Sequence, residues 1–317
     1  MTRYRVGVDV GGTNVKVALV DENGEIKSSD KVCTRAEMGY EYTLNNIKRA
    51  IYDLIQASGI NKEDIDAIGF GFPGQIDYEN GVVRKLPNIP GWDNVPVTKI
   101  MEAEFGIRTR IDNDVRCAAL GEMKYGAGKN AQNLICVTVG TGIGSAIILN
   151  GKLVRGASNA AGEIGHIKLD IHEGPLCGCG DRGCLEAFAS GPAIVAMAKE
   201  YISGGKSAKF RELAEGKEIE PYFVAQAAQM GDLVSKKIFE IIGGYIGVGL
   251  SSVVNLLNPE KIVIGGGVAD AGELLLEPIR RTVNESAMKV STDVLEIVPA
   301  QLGNNAGVIG ACLLAEE

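Results

Sequence analysis

Two stretches of this chain carry one pattern. "RVGVDVGGTNVKVALVDENGEI" and "LICVTVGTGIGSAIILNGKLV" each read as an apolar strand, a glycine turn and a second apolar strand. Superposed, they set Asp9 opposite Thr138, Gly11 opposite Gly140, Gly12 opposite Thr141 and Thr13 opposite Gly142. A module that recurs once, about 130 residues on, implies two related lobes, because solenoids repeat roughly every 20–50 residues. The 317 residues are enough for both lobes to bury a core, given roughly 100–200 residues per domain.

Periodicity fills in the remainder. "GEIKSSDKVC" extends the first module to a three-strand antiparallel meander, with "DENG" as its hairpin. Leu44, Ile47, Ile51, Leu54 and Ile55 predict a helix over 39–58 that stops at Gly59. "IDAIGFGFPG" reads as a buried strand entering a loop, about 98–105 as a helix, "IRTRIDND" as a strand, and "DVRCAALGEMKYG" as a helix that starts close to Asp114. The later half is mainly helical, with a long run from about Asp232 to Leu257, a strand "KIVIGGGV", a helix near 270–287, a strand "VLEIVPA" and a closing helix.

Composition excludes several classes. A net charge of −8 and a pI of about 5.1 do not suit a polyanion partner, because phosphate backbones reward basic surfaces. No nucleic-acid partner is therefore expected. No stretch approaches the roughly 20 continuous apolar residues of a membrane span, and "MTRYRVGVDVGG" enters strand alternation without a leader pattern. A soluble cytoplasmic protein without a membrane partner is the expectation. Cys33, Cys117, Cys136 and Cys312 are scattered through ordinary elements, which suits reduced, buried thiols better than a disulfide framework.

Both glycine turns leave backbone N–H groups at a tip with no Cβ to shield them, the geometry of an anion nest. A plain hairpin is the alternative. Thr13, Thr141 and Asp9 argue against it, because hydroxyl and carboxylate groups accompany the tips. Neither turn is a Walker A loop, and neither opens a helix as a dinucleotide fingerprint does. Gly265, Gly266 and Gly267 of "VIGGGV" offer a third glycine edge, flat enough for a nucleoside.

The other three cysteines and both histidines fall in "EIGHIKLDIHEGPLCGCGDRGCLEAF". Cys177, Cys179 and Cys184, separated by glycines, can converge on one soft cation, and His166 can complete a Cys3His tetrahedron best suited to zinc. A redox pair or buried free thiols are the other readings of this spacing, and His172 is a second candidate ligand.

"DVGGT", "FPGQID", "LPNIPGW", "IDND", "VGTGIG", "AGEIGH" and "CGCGDRGCLE" together resemble the ROK sugar kinases, and bacterial ROK glucokinases in particular, over nearly the whole chain. The resemblance implies two ribonuclease-H-like α/β lobes of the actin, sugar kinase and Hsp70 superfamily. A smaller lobe would span 1–113 with 304–317 and a larger one 114–303, with a cleft between them that sugar binding closes. It further implies a structural zinc on His166, Cys177, Cys179 and Cys184, holding Glu163 and Glu186 toward the sugar. Asn88, Asn113, Asp114, Glu163, His166 and Glu186 would contact sugar hydroxyls, with Gly74 of "FPGQID" also at the sugar site. Carboxylates and amides suit that task, since each can bridge neighbouring hydroxyls.

By residue type alone Asp112 and Asp114 compete as general base, and an N-cap role is the alternative for Asp114. The match of "ND" to the family pair implies Asp114. Asp9 is the expected partner of Mg²⁺ through water, with the glycines of all three edges, Thr13 and Thr141 at the ATP. Glucose or a related hexose and ATP are the expected substrates, and a homo-oligomer, dimer or tetramer, the expected assembly. Two positions depart from the family pattern: Asn14 stands where many members carry lysine, and "GHIKLD" lacks the commoner proline. An N-acetylhexosamine kinase is the rival within enzymes. A repressor or silent sugar-binding protein is the rival outside them, opposed by the acidic charge, by a first strand that begins by residue 5, and by the presence of Asp9, Asp114 and both turns.

Overall fold

The computed structural model describes residues 3–87, 89–205 and 209–317. They fall into two compact units: Met1–Asn130 with Leu153–Ala161 and Gln301–Glu317, and Ala131–Lys152 with Gly162–Ala300.

The first unit contains β1 (Tyr4–Val10), β2 (Asn14–Asp21), β3 (Ile26–Cys33), α1 (Gly39–Ser58), β4 (Ile65–Phe72), β5 (Gln75–Asp77), β6 (Val82–Lys85), β7 (Asp93–Val95), α2 (Val97–Phe105), β8 (Thr109–Asn113) and α3 (Asp114–Tyr125). The second is built on β9 (Leu134–Val139), β10 (Ile143–Leu149) and β11 (Lys152–Val154), then α4 (Leu185–Ala189), α5 (Gly191–Ser203), α6 (Lys209–Leu213), α7 (Pro221–Gln229) and α8 (Leu233–Leu257). It ends with β12 (Lys261–Gly265), α9 (Glu273–Ser286), α10 (Lys289–Thr292) and β13 (Glu296–Pro299). The last helix, α11 (Ala306–Leu313), belongs to the first unit.

The duplication read from the sequence is present in the sheets. Their orders are β3-β2-β1-β4-β8 and β11-β10-β9-β12-β13, and in both the two later strands run parallel to the first strand of the module. This repeated order is the ribonuclease-H-like α/β layout that was expected. The superposition needs one correction past the turns. Val10 pairs with Val15 across a four-residue tip, and Val139 pairs with Ile143 across a three-residue tip. Gly11 N–H donates to Asn14 O, and Gly140 N–H donates to Gly142 O, both at 2.9 Å. Gly142 therefore matches Asn14, not Thr13.

Helix boundaries follow their chemistry. α1 buries Leu44, Ile47, Ile51 and Leu54 and stops where Gly59 takes φ 68°, a left-handed stop that glycine adopts without Cβ strain. α8 is capped by Asp232, whose side chain accepts from Ser235 N–H. By length and composition α8 could cross a membrane, yet it serves as a core helix, with Ile238, Phe239, Ile242, Ile246 and Leu250 at most 1% exposed.

The expected division at 113/114 differs from the observed one. The first unit continues through α3, and the two units are of nearly equal length. The cause is close packing among α11, α3 and the first sheet. A Cβ placed on Gly7 would lie 1.9 Å from Val308 O, one on Gly69 1.8 Å from Ala311 O, and one on Gly310 1.6 Å from Cys117 O. Only hydrogen atoms fit at these contacts. Gly69→Ala and Gly310→Ala are each expected to destabilise the protein by about 1–3 kcal/mol or more, the usual effect of overpacking, read as a lower urea midpoint.

Candidate active site

In the first unit the tip after β1 is pinned from β3. Thr34 Oγ1 donates to Gly11 O at 2.6 Å, and Thr34 N–H donates to Thr13 O at 2.9 Å. Gly12 and Thr13 are exposed, and nothing lies within 4 Å of where a Gly12 Cβ would sit. The tip amides are thus fixed and open to a ligand. Asp9 is partly buried at the end of β1, opposite Lys16 on β2. Its Oδ2 lies 2.7 Å from where a Cβ on Gly307 would be, so the start of α11 leaves room for the carboxylate. Lys16 Nζ is held by Asn304 O and the Asn305 side chain.

Asp112, Asn113 and Asp114 follow one another where β8 becomes α3, and they have separate roles. Asp112 is fully buried between Arg116 at 3.0 Å and Arg155 at 2.8 Å. Arg116 also donates to Asn159 O and Ala161 O, and Arg155 lies 3.7 Å over the Tyr78 ring. Asn113 is the N-cap of α3, its side chain accepting from Val115 N–H and Arg116 N–H. Asp114 follows the cap and occupies the first helical turn, half-buried, with Oδ1 accepting from Val115 N–H at 2.9 Å. Gly71 on β4 keeps this corner tight, with a would-be Cβ 3.3 Å from Asp114 Cα.

Gly74 adopts φ 125°, and a Cβ there would meet Lys85 O at 2.6 Å, so the loop after β4 requires glycine. Asn88 lies outside the described residues. Its neighbours Leu86, Ile89 and Trp92 are buried, with the Trp92 ring 5.3 Å from that of Phe72.

In the second unit the Gly140–Gly142 tip is held by α4 and α5. Glu186 Oε2 accepts from Ile143 N–H at 2.9 Å, and Gly191 N–H donates to Gly140 O at 2.7 Å. The link from Glu186 to the tip was not legible from the sequence. Gly266, at φ 87°, turns the chain after β12, and a Cβ there would lie 2.4 Å from Val139 O, while Gly267 is open. Between Gly267 and the Gly140–Thr141 tip lies a cavity of about 670 Å³. Pro192, Val195, Ile219 and Tyr222 give it apolar walls, and Lys199 and Glu220 supply charge. These wall residues belong to separate helices and loops with no shared motif, so sequence spacing did not group them.

His166, Cys177, Cys179 and Cys184 converge, with one ligand atom from each inside 4.8 Å of all the others. Cys179 Sγ lies 3.7 Å from Cys184 Sγ, and Cys177 Sγ lies 3.9 Å from His166 Nδ1. A tetrahedron with Zn–S near 2.3 Å has edges of about 3.8 Å, so this donor set fits zinc. His172 is outside the cluster, its backbone N–H bound to Asp170. Burial pushes the Cys177 thiol up to about 12, while the Asp181 backbone holds Cys179 below its ordinary value. Lys168 Nζ, 3.1 Å from Cys184 Sγ, sets a positive charge against the thiols. Glu163 and His166 are both exposed beside the cluster.

Comparison with known proteins agrees with this construction. A family model described as "ROK family" matches residues 5–317. The chain belongs to the ROK family. It is 37% identical to a glucokinase of Halalkalibacterium halodurans over 99% of this chain and 96% of that one. A solved ROK family glucokinase from Streptomyces griseus, in complex with glucose and AMPPNP, is 36% identical with a TM-score of 0.84, covering 98% of both chains. The chain is also 33% identical to a xylose repressor of Caldicellulosiruptor bescii, over 96% of this chain and 76% of that one.

Burial raises the Asp9 carboxyl to about 6, an effect Lys16 opposes. The folded ROK chain thus retains a proton that the unfolded chain releases from about pH 4 upward, and ionised Asp9 lowers stability, fully so above about pH 6. Asp9→Asn should therefore raise the melting temperature of ligand-free protein at about pH 7.5, with the gain fading toward pH 4. Thermal melts across that range check the sign.

Proposed function

We propose that this ROK protein is an ATP-dependent hexokinase that phosphorylates glucose at the 6-hydroxyl, giving glucose 6-phosphate. The observation that carries the reading is the position of Asp114, a carboxylate in the first turn of α3 directly after the Asn113 cap, in a chain similar over nearly its full length to glucokinases.

Asp114 accepts the proton of the sugar 6-hydroxyl as that oxygen bonds to the γ-phosphorus and the bond to the ADP oxygen breaks. Phosphoryl transfer asks little else of a protein beyond position and charge. The Gly11–Thr13 and Gly140–Gly142 tips supply backbone donors for phosphates, and the cavity beside Gly267 suits the nucleoside. Mg²⁺, when bound, neutralises phosphate charge, and Asp9 is the carboxylate that would hold it through water. Asn88, Asn113 and Asp114 in the first unit, and Glu163, His166 and Glu186 in the second, are assigned to sugar hydroxyls, with Gly74 beside the first set. His166 Nδ1 faces Cys177, which leaves Nε2 for a hydroxyl. The His166, Cys177, Cys179 and Cys184 cluster would hold a structural zinc with no open position for chemistry.

Asp114→Asn keeps shape but cannot take the proton, so kcat should fall by at least about 10²-fold, within the usual range for a general base. Sugar affinity by calorimetry should change far less. Asp112→Asn should behave in the opposite way. Leaving Arg116 and Arg155 without their buried counter-ion should cost about 3–5 kcal/mol of stability, with kcat per folded molecule nearly kept. An inactive Asp112→Asn beside an active Asp114→Asn would reverse the assignment.

Protein purified without added metal should carry about one zinc per chain, as one four-ligand site requires. Cys179→Ser should lose the metal and weaken glucose binding through Glu163 and Glu186. A fully active protein without metal would sink the zinc assignment.

A further inference from the structure

In the second unit one short helix touches both the cysteine cluster and the glycine tip. Cys184, a member of the cluster, is the N-cap of α4. Two residues on, Glu186 accepts from Ile143 N–H through Oε2 while its Oε1 faces Cys177 Sγ at 3.7 Å. Just past the other end of α4, Gly191 N–H donates to Gly140 O. The Gly140–Gly142 tip is thus fastened on both sides, by Glu186 within the five-residue α4 and by Gly191, which opens α5 two residues after it. A side chain at Gly142 would displace the Glu186 carboxylate, since Oε2 lies 2.3 Å from where its Cβ would be. Leu185 N–H, donating to Ile167 O, joins the start of α4 to the residue after His166 as well.

We propose that α4 transmits occupancy of the His166, Cys177, Cys179 and Cys184 cluster to the Gly140–Gly142 tip, so that metal binding tightens nucleotide binding, with Glu186 as the positioning residue. This rests on the function proposed above, which puts metal at the cluster and phosphates at the tip. A helix of five residues has little stability of its own, so its N-terminus depends on what holds Cys184. Releasing Cys184 loosens Glu186 and the tip amide that it aims. An anion nest binds through the direction of its N–H groups, and affinity falls as that direction is lost. Coupling of this kind is reciprocal: nucleotide must retain metal by the factor by which metal tightens nucleotide.

The test uses the full chain without sugar. Zinc is quantified, then Mg·ADP affinity is measured by calorimetry on zinc-loaded protein and on protein stripped with dipicolinate and returned to Mg²⁺. Wild type should bind Mg·ADP about tenfold more weakly after stripping, the scale of one lost hydrogen bond to a charged group. Glu186→Ala should start with the weaker affinity and change little on stripping. Glu186→Gln keeps an oxygen for Ile143 and should retain the dependence. Mg·ADP should also slow zinc release to a chromophoric chelator in wild type, and not in Glu186→Ala. Equal Mg·ADP affinity in loaded and stripped wild type overturns the proposal, as does undiminished metal dependence in Glu186→Ala. Purified protein that binds Mg·ADP but never zinc would instead remove the metal assignment itself, and the coupling with it.

Discussion

The seat of α11 on the first sheet fixes much of what surrounds it. At Gly7 and Gly69 the helix backbone lies directly on β1 and β4, and at Gly310 it lies against α3. Contacts this short admit one arrangement, because packed interiors have no slack to redistribute. Gly307, at the start of the same helix, borders the Asp9 carboxylate, and α3, which carries Asp114, packs through Cys117 against Gly310 of α11 and against Gly71 of β4. The position of both candidate acidic groups is therefore inherited from glycines that perform no chemistry.

Asp112 and Asp114 show how burial divides labour between like residues. Both stand where a strand becomes a helix. Asp112 points into the protein, where two guanidiniums compensate its charge; a buried carboxylate without such partners would be strongly unfavourable. Asp114 turns to the helix end, where the dipole favours a negative charge. Asn113, between them, is the N-cap of that helix.

Local rules made much of the fold legible. The period of α1, its glycine stop, the Asp232 start of α8 and the duplicated meander all follow from neighbours close in sequence. The tip lengths did not, because alternation of apolar residues fixes which face a strand shows but not how many residues turn the corner. At the candidate site the cysteine cluster was readable because all four ligands lie within nineteen residues of sequence, Glu186 was readable only as a type, and the cavity walls were not readable at all. The bond from Glu186 to Ile143 and the pairing of Asp112 with Arg155 each join residues 43 positions apart. No local pattern encodes such a partner. The unit boundary failed for the same reason: α3 is placed by α11, which comes almost at the end of the chain.

That last placement bears on the order in which the molecule is made. The strands β1 and β4 leave the ribosome first, yet the helix that covers Gly7 and Gly69 follows the whole second unit. At about 5–20 residues per second, synthesis of the stretch between β4 and α11 lasts roughly ten to fifty seconds. Through that interval the apolar surface that α11 will cover stays open to water, to chaperones or to another nascent chain. The unit begun first is the one completed last.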